Sequence, residues 1–348
     1  MSFGFCADGT GPNYHATLAS VSATRAATGA GGATGTGGVV GVGGGTSGTV
    51  SQGKIFKTCG FHFGTLDSKV RGDSTLPSQV EMFTPGWMGQ SDTFDMGYVC
   101  GGTDGSLVKA GAVPAIVSYV IGFNARRDPA FKLQDCNVSA STNLCKRGAE
   151  YIRLHLEDKL IPQYAMYARG FAASCGTTRP IIFEMEPDFY QYVTGGDPQH
   201  LTAAEAGTIM ARFVATMRQS LPNAVFSLDI SPWIPNNGRD WYSNFKLDDF
   251  TFINTSGGGT DAGNTRIRGN NTMTWAGVHQ VTGKPILADT GYGAAGAPAG
   301  HDAAWDVPAN INARIADGVV SIVQYSPMNA WGSTIAKIRP AVNAVGCR

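Results

Sequence analysis

The chain has little charge. Only 15% of its 348 residues are Asp, Glu, Lys or Arg, and the acidic and basic residues are equal in number at 26 each. No run of Lys and Arg is longer than a pair, so the sequence lacks the basic stripe that binding to phosphate groups requires. These absences exclude nucleic acid as an expected partner and favour a neutral polymer or a neutral small molecule.

Long apolar runs are missing as well. No stretch approaches the roughly 20 apolar residues of a membrane-spanning helix, and the first twenty residues have neither a basic start nor an apolar segment. We therefore expect a soluble chain with no membrane partner and no export signal within this sequence.

The seven cysteines do not form a zinc motif, because no two of them have the required two-residue spacing. Cys136 and Cys145 bracket a short polar loop, which suits a local disulfide, and Cys6 could join Cys347. Disulfides predict a secreted protein, although one thiol must stay free. The alternative is a reducing cytoplasm with all seven buried. Three glycosylation sequons agree with secretion: Asn137, Asn254 and Asn270.

Motifs for other chemistries are absent. The sequence has no Gly-X-Ser-X-Gly elbow, no phosphate loop and no dinucleotide fingerprint, so no cofactor is expected. His62, in Gly-Phe-His-Phe-Gly, is expected at the C-terminal end of the first predicted strand. Its side chain would then face the side of the sheet where the other predicted strands end. It lacks the second His at two-residue spacing that a metal site would use, so a ligand for a substrate hydroxyl group or a core imidazole is expected instead.

Glycine is concentrated in one segment. Half of residues 28 to 49 are Gly and most of the others are small, which is typical of a linker. This predicts an N-terminal arm at 1–27, a linker at 28–49 and the main folded domain at 50–348. The alternative is an ordered extension packed on the domain.

Strand-like runs alternate with helical patterns beyond residue 55, which predicts a parallel sheet. Helices are clearest at 148–173, where Pro162 should kink or divide the helix, and at 202–221, which Thr202 and Glu205 would cap. Eight strands predict a (β/α)8 barrel, with an open doubly wound sheet as the alternative. The eight predicted strands are 55–63, 96–100, 113–121, 180–186, 224–229, 250–254, 285–289 and 319–325.

Carboxylates follow the predicted strands. The fourth strand ends in Glu184, Glu186 and Asp188, and strand alternation predicts Glu184 and Glu186 on one face. Asp229 ends the fifth strand and Asp289 the seventh. Because strand ends of a (β/α)8 barrel meet at one mouth, the acids should converge there, as glycosidic bond cleavage requires. The alternative is that they form salt bridges with arginines: Arg126, Arg127 and Arg179.

Aromatic residues crowd the same strand ends. Sugar rings stack on aromatic faces, and amide side chains bind their hydroxyl groups. We expect about half of these aromatics to be structural, since Trp and Tyr also fill space beneath loops. The aromatics are Tyr190, Tyr192, Trp233, Trp241, Tyr292, Tyr325 and Trp331, and the amides are Asn236, Asn237, Asn254, Asn329 and Gln324.

The chain resembles (β/α)8 glycoside hydrolases over about residues 55 to 340. Glu186-Pro187 is similar to the Asn-Glu-Pro end of the fourth strand in clan A enzymes, with Met185 in place of Asn. That resemblance implies Glu186 as acid/base and a nucleophile near Asp289. Glu186-Pro187-Asp188, Leu228-Asp229 and Asp289-Thr290 resemble family-6 cellulases. That resemblance implies Asp188 as the acid, Tyr119 beneath the scissile sugar, and inversion.

Together these features predict a secreted, monomeric, endo-acting glycoside hydrolase of β-linked polysaccharide, with glucan first and mannan or xylan next. Glu186 or Asp188 would donate the proton, Asp289 or Asp229 would be its partner, and Glu184 would support them. One alternative is a non-catalytic carbohydrate-binding or structural protein on the same barrel. Another is a metal-assisted hydrolase that uses strand-end Asp residues and His62.

Overall fold

The computed structural model describes residues 52–91, 96–102, 104–136, 142–195, 199–255, 260–269, 271–291 and 300–346. Eight parallel strands form a closed barrel, in which each strand pairs with the next and the eighth pairs with the first. The (β/α)8 prediction is confirmed. The strands are β1 His62–Leu66, β2 Met82–Thr84, β3 Val113–Ser118, β4 Ile181–Met185, β5 Ala224–Ile230, β6 Phe252–Thr255, β7 Ile286–Asp289 and β8 Val319–Gln324.

A two-residue strand, Trp87–Met88, extends the sheet beside β3. The α-helices are α1 Gln52–Ile55, α2 Met96–Gly101, α3 Ser106–Ala110, α4 Val120–Arg127, α5 Leu144–His155, α6 Ile161–Cys175, α7 Phe189–Thr194, α8 Ala203–Arg218, α9 Arg239–Tyr242, α10 Trp275–Thr282, α11 Pro308–Ala316 and α12 Trp331–Ile338. A π-helical segment spans Leu156–Leu160, and 3₁₀ turns span Asp67–Gly72, Leu76–Ser78, Pro235–Gly238, Leu247–Asp249, Ala303–Asp306 and Arg339–Ala341.

Two predicted strands were wrong, both in the first third of the chain. Residues 96–100 lie in α2, because Met96, Val99 and Cys100 have helical spacing and pack against the core. The second strand is β2, which has only three residues and is too short to show a pattern. The first strand begins at His62 rather than at Ile55, which instead ends α1.

The helix predictions were better. The Thr202 hydroxyl accepts a hydrogen bond from the Glu205 backbone N–H, and the Glu205 carboxylate accepts one from the Thr202 N–H, as a capping box requires. The first predicted helix is divided as expected. Its π-helical segment ends just before Pro162, whose ring cannot continue the regular hydrogen-bond ladder.

Alternation along the strands separates two cores. Side chains such as Phe183, Phe226 and Ile253 pack outward against the helices. The inward positions of the lower barrel hold Met82, Val113, Ala115, Ile182, Val225, Phe252 and Leu287. Farther along the same rows, β4, β5 and β7 each have an inward position at or near the C-terminal end of the strand, at residues 184, 229 and 289.

Two disulfides lie within the described residues. Cys136–Cys145 is the predicted local bridge, and Cys100–Cys175 ties α2 to the end of α6. The Cys6–Cys347 pairing, the glycine-rich segment and the N-terminal arm fall outside the described residues. None of the helices in the described part of the chain is both long and apolar enough to cross a membrane.

Candidate active site

Three carboxylates occupy inward positions near the C-terminal ends of their strands. Glu184 follows Ile182 on β4, Asp229 ends the inward row of β5, and Asp289 follows Leu287 on β7. All three are buried. Burial, reinforced by the negative charges of Asp289 and Asp229, raises the pKa of Glu184 from 4.5 to about 8. The convergence expected from the sequence is therefore observed for these three.

Local hydrogen bonds fix the two aspartates. Asp289 Oδ1 accepts from the Gly291 N–H at 2.7 Å, and its Oδ2 accepts from the Thr255 hydroxyl at 3.1 Å. Asp229 Oδ2 accepts from the Ser231 hydroxyl at 3.0 Å. Because each donor comes from the loop or strand next to the acid, the local backbone sets the direction of the carboxylate.

Glu186 lies apart from this cluster. Its backbone has φ +46°, a left-handed conformation that turns the side chain toward the helices. The carboxylate accepts from the Tyr164 hydroxyl at 2.5 Å, the Tyr192 hydroxyl at 2.7 Å and the Ile121 N–H at 3.1 Å. The prediction that Glu184 and Glu186 share a face was therefore wrong, because the strand ends at Met185. Burial still raises the pKa of Glu186 to about 7, against these donors.

Asp188 stands at the edge of the mouth. It also has a positive φ, +65°, and its Oδ1 accepts from the Gln191 amide at 2.6 Å. Burial raises its pKa to about 6, opposed by the charge of Arg268 and assisted by that of Asp135. Asp188 is thus a second acidic position, separate in environment from the inner three carboxylates.

Tyr119 borders the mouth next to Asp188. Its ring packs edge-on against Trp87 and Phe123, with centroids 5.8 and 5.4 Å away, and its hydroxyl donates to Asp135 at 3.3 Å. Charges on Asp135 and Asp188 reinforce the effect of burial and hold the pKa of the Tyr119 hydroxyl well above its usual value. Tyr119 is therefore a neutral donor at this edge.

The arginines proposed as salt-bridge partners have other contacts. Arg126 pairs with Asp135, Arg127 donates to the Gln90 carbonyl at 2.7 Å, and Arg179 donates to the Ala112 carbonyl. These contacts hold loops and helix ends, and none of the three involves a strand-end acid. Salt bridges to these arginines therefore do not account for the buried carboxylates.

The predicted aromatic residues divide into two groups. Trp233 is 43% exposed and Tyr190 is half-buried, with its ring edge-on to Trp241. Tyr192 is fully buried on Glu186, and Trp331 donates its indole N–H to Asp306 at 2.9 Å within the outer core. Trp241 and Tyr325 are also buried. Tyr292 lies outside the described residues.

His62 is at the opposite end of the barrel from the acids. It begins β1 instead of ending it, and its ring stacks on Phe56 at a centroid distance of 3.8 Å. Burial, with the charge of Arg339, lowers its pKa to about 3, so the imidazole is neutral. The expectation that His62 faces the mouth was wrong because the first strand starts seven residues later than predicted. Asn254, by contrast, is buried and pairs in register with Asp229.

Sequence reasoning missed Arg268, Thr255 and Tyr164. Arg268 lies in the loop after β6, and its guanidinium carbon is 4.7 Å from the centre of the Trp233 ring. The rule that barrel strand ends and the loops after them carry function points to Thr255 and Arg268, whereas nothing local singles out Tyr164. Within the described ranges, no group of three or more His, Cys, Asp or Glu is arranged to hold a metal ion.

Comparisons with known proteins give a similarity of fold and no match in sequence. No protein-family model matches the chain, and no curated protein matches it in sequence. Among solved structures, it is similar to a modular endo-β-1,4-mannanase from Cellulomonas fimi, with 12% identity over 86% of this chain and 76% of that chain, at a TM-score of 0.53. It is also similar to a family 26 β-mannanase from Bacteroides ovatus, with 12% identity over 84% of this chain and 93% of that chain, at 0.52. The resemblance to (β/α)8 glycoside hydrolases is confirmed at the level of fold.

Proposed function

We propose that the chain is a glycoside hydrolase of β-linked polysaccharide in which Glu184 donates the proton and Asp289 is its partner carboxylate. The observation that carries this proposal is the inner cluster at the barrel mouth. A carboxyl group whose pKa is raised to about 8 keeps its proton at neutral pH, as a general acid must. This differs from the sequence prediction, which favoured Glu186 or Asp188 as the donor.

Glu184 would pass its proton to the glycosidic oxygen as the bond from that oxygen to the anomeric carbon breaks. Asp289 would either bond to the anomeric carbon, giving an ester that water then hydrolyses, or remove a proton from the attacking water. In the first case Glu184, ionised by the first step, takes a proton from the water that hydrolyses the ester and is restored. The fixed direction of Asp289, set by Gly291 and Thr255, supports either role.

Asp229 supports the same reaction through its charge. It lies on the strand next to Glu184, and its negative charge helps Glu184 to keep the proton. Asn254 pairs with Asp229 in register and faces the same interior, so its amide is positioned for a sugar hydroxyl. Neither residue needs to exchange a proton for the reaction to proceed.

The proposed substrate is a neutral β-1,4-linked polymer, with mannan first and glucan and xylan next. The neutral composition of the chain supports a neutral polymer, and likeness of fold to two mannanases makes mannan the first polymer to assay. We also propose that the protein is a secreted monomer. The two disulfides among the described residues support an oxidising compartment, and size-exclusion chromatography with light scattering tests the monomer.

The test is release of reducing ends from mannan, β-glucan, cellulose and xylan by the parent chain, Glu184→Gln and Asp289→Asn, with Glu186→Gln as the matched control. We expect cleavage of at least one polymer, lowered about 10²-fold or more by the first two changes and kept in the control. The anomer of the first product, followed by NMR, separates retention from inversion. A folded parent that binds but cleaves none of the polymers would instead indicate the non-catalytic carbohydrate-binding protein.

A further inference from the structure

Trp233 is the aromatic residue at the mouth with the largest open surface among those described. It follows β5 in a turn closed by a hydrogen bond from the Ile234 N–H to the Ser231 carbonyl at 3.1 Å, and Ile234 is buried beneath it. An indole that is 43% exposed on a rigid turn keeps apolar area in water, at a cost in free energy. The residues around Trp233 indicate which kind of ligand would bind on the exposed indole.

The loop that carries Trp233 is locked to the loop after β6. Asn236 and Asn237 both have positive φ, and Asn237 Oδ1 accepts from the Thr274 N–H at 2.9 Å, at the start of α10. Gly277 allows the two loops to approach this closely, because a Cβ at this position would come within 2.3 Å of the Asn237 amide nitrogen. Two loops from neighbouring strands are therefore held in a fixed relation.

Arg268 belongs to the second of these loops. Its neighbour Ile267 is fully buried and donates its N–H to the Met273 carbonyl at 3.1 Å, so the backbone beneath Arg268 is anchored. The guanidinium stacks on Trp233 at 4.7 Å and interacts electrostatically with Asp188, Asp289 and Asp229. Arg268 thus contacts the exposed indole and is within electrostatic range of acids from three strand ends.

We propose that Trp233 and Arg268 form a sugar-binding subsite next to the reacting bond, which takes a neutral pyranose unit of a β-linked polysaccharide. The apolar face of the sugar would stack on the open part of the indole. Arg268 supplies donors only and Asp188 supplies acceptors, so together they match neighbouring hydroxyl groups, each of which both donates and accepts. This inference rests on the proposed function for its substrate class.

The experiment measures binding without turnover. β-1,4-linked manno-, cello- and xylohexaose are titrated calorimetrically into Glu184→Gln, alone and combined with Trp233→Ala, Trp233→Phe, Arg268→Met or Arg268→Lys. The matched control is Leu154→Ala, which truncates an apolar side chain that is 60% exposed on α5. Thermal melts confirm that each variant is folded.

We expect Trp233→Ala to weaken binding of the preferred hexasaccharide about 10- to 100-fold, and Trp233→Phe and Leu154→Ala to change it by less than about threefold. Arg268→Met should weaken binding about tenfold, and Arg268→Lys should restore part of it. In an active parent, the same changes should raise KM more than they lower kcat.

The outcomes separate the subsite from the reaction. If the parent cleaves a polymer while Trp233→Ala and Arg268→Met bind as tightly as Glu184→Gln alone, the subsite is wrong and the hydrolase stands. If the parent cleaves nothing but Trp233→Ala still loses binding, the subsite stands and the proposed reaction is wrong. Absence of binding to all three hexasaccharides overturns the subsite.

Discussion

Glu184 and Glu186 are two residues apart, and the structure places them in opposite environments. Glu184 points into the barrel, where Asp229 and Asp289 face it. Glu186 points toward the helices, where two tyrosine hydroxyls and a backbone N–H donate to it. Both are buried, so burial alone does not distinguish them. The neighbours do, because one carboxyl group meets like charges and the other meets donors.

The difference shows two ways to keep a carboxyl group out of water. Donors stabilise the ionised form and use its lone pairs, so Glu186 has little capacity left for a substrate. Like charges favour the protonated form, so Glu184 keeps a proton that it can transfer. We infer that Glu184 serves the reaction and that Glu186 holds the loop that carries Asp188.

The sharpest way to break this comparison is to remove the proton of Glu184. Glu184→Gln keeps the shape of the side chain but cannot donate in the reaction, so kcat on the preferred polymer should fall about 10²- to 10⁴-fold. Initial-rate measurements of reducing-end release check this. Glu186→Gln is the paired control and should stay within about tenfold of the parent. A larger loss in Glu186→Gln than in Glu184→Gln would reverse the two roles.

Removal of the Glu186 carboxylate should lower the stability of the fold. Glu186→Ala leaves the Tyr164 and Tyr192 hydroxyls and the Ile121 N–H without their acceptor, so the free energy of unfolding should fall by about 3 kcal/mol or more. Urea denaturation followed by circular dichroism measures it. Activity per folded molecule, assayed well below the unfolding transition, should change far less than in Glu184→Gln. Unchanged stability would contradict the role given to Glu186.

The sequence predicted the barrel because its later strands are long, apolar and regularly spaced. It failed for β2 and α2, where three residues form a strand and a short helix resembles one. Packing decides such short segments, and the disulfide partner of α2 on α6 is 75 residues away in sequence. The His62 error has the same origin, since a misplaced strand start moves the residue from one end of the barrel to the other.

The set of strand-end acids was predicted from the sequence, but the directions in which its members face were not. Period-two alternation places Glu186 beside Glu184 only while the strand continues, and the positive φ of Glu186 ends it. No local residue pattern marks that turn, because glutamate seldom adopts this conformation. The partners that decide the matter, Tyr164 and Ile121, come from helices 22 and 65 residues away.

The comparison also predicts how the two acids respond to pH. Because the folded-state pKa of Glu184 is raised from 4.5 to about 8, the native state keeps a proton that the unfolded chain loses in this range. Unfolding then releases a proton, so the free energy of unfolding contributed by this group is highest below pH 4.5 and falls as the pH rises to about 8. The rate should also fall above about pH 8, as Glu184 loses its proton.

Denaturation curves for the parent and Glu184→Gln between pH 4 and pH 9 test the stability part. The variant lacks the group, so its curve should be flatter, and it should gain stability relative to the parent toward pH 8. Glu186→Gln should remove a pH dependence of stability that ends at a lower pH than that of Glu184, because the pKa of Glu186 is raised only to about 7. Equal slopes for the parent and Glu184→Gln would show that Glu184 is not held protonated.

The smallest expected effects come from the hydroxyls around Glu186. Tyr164→Phe and Tyr192→Phe each remove one donor to the carboxylate and should each lower the free energy of unfolding by about 1 to 2 kcal/mol, with activity nearly unchanged. Tyr151→Phe is the control, since that buried hydroxyl has no hydrogen-bond partner among the described residues, and its loss should be neutral or slightly stabilising. Because Tyr164 and Tyr192 share one acceptor, the double variant should deviate from additivity. Strict additivity would mean that the two hydroxyls act independently, and the closed environment assigned to Glu186 would then lose its main support.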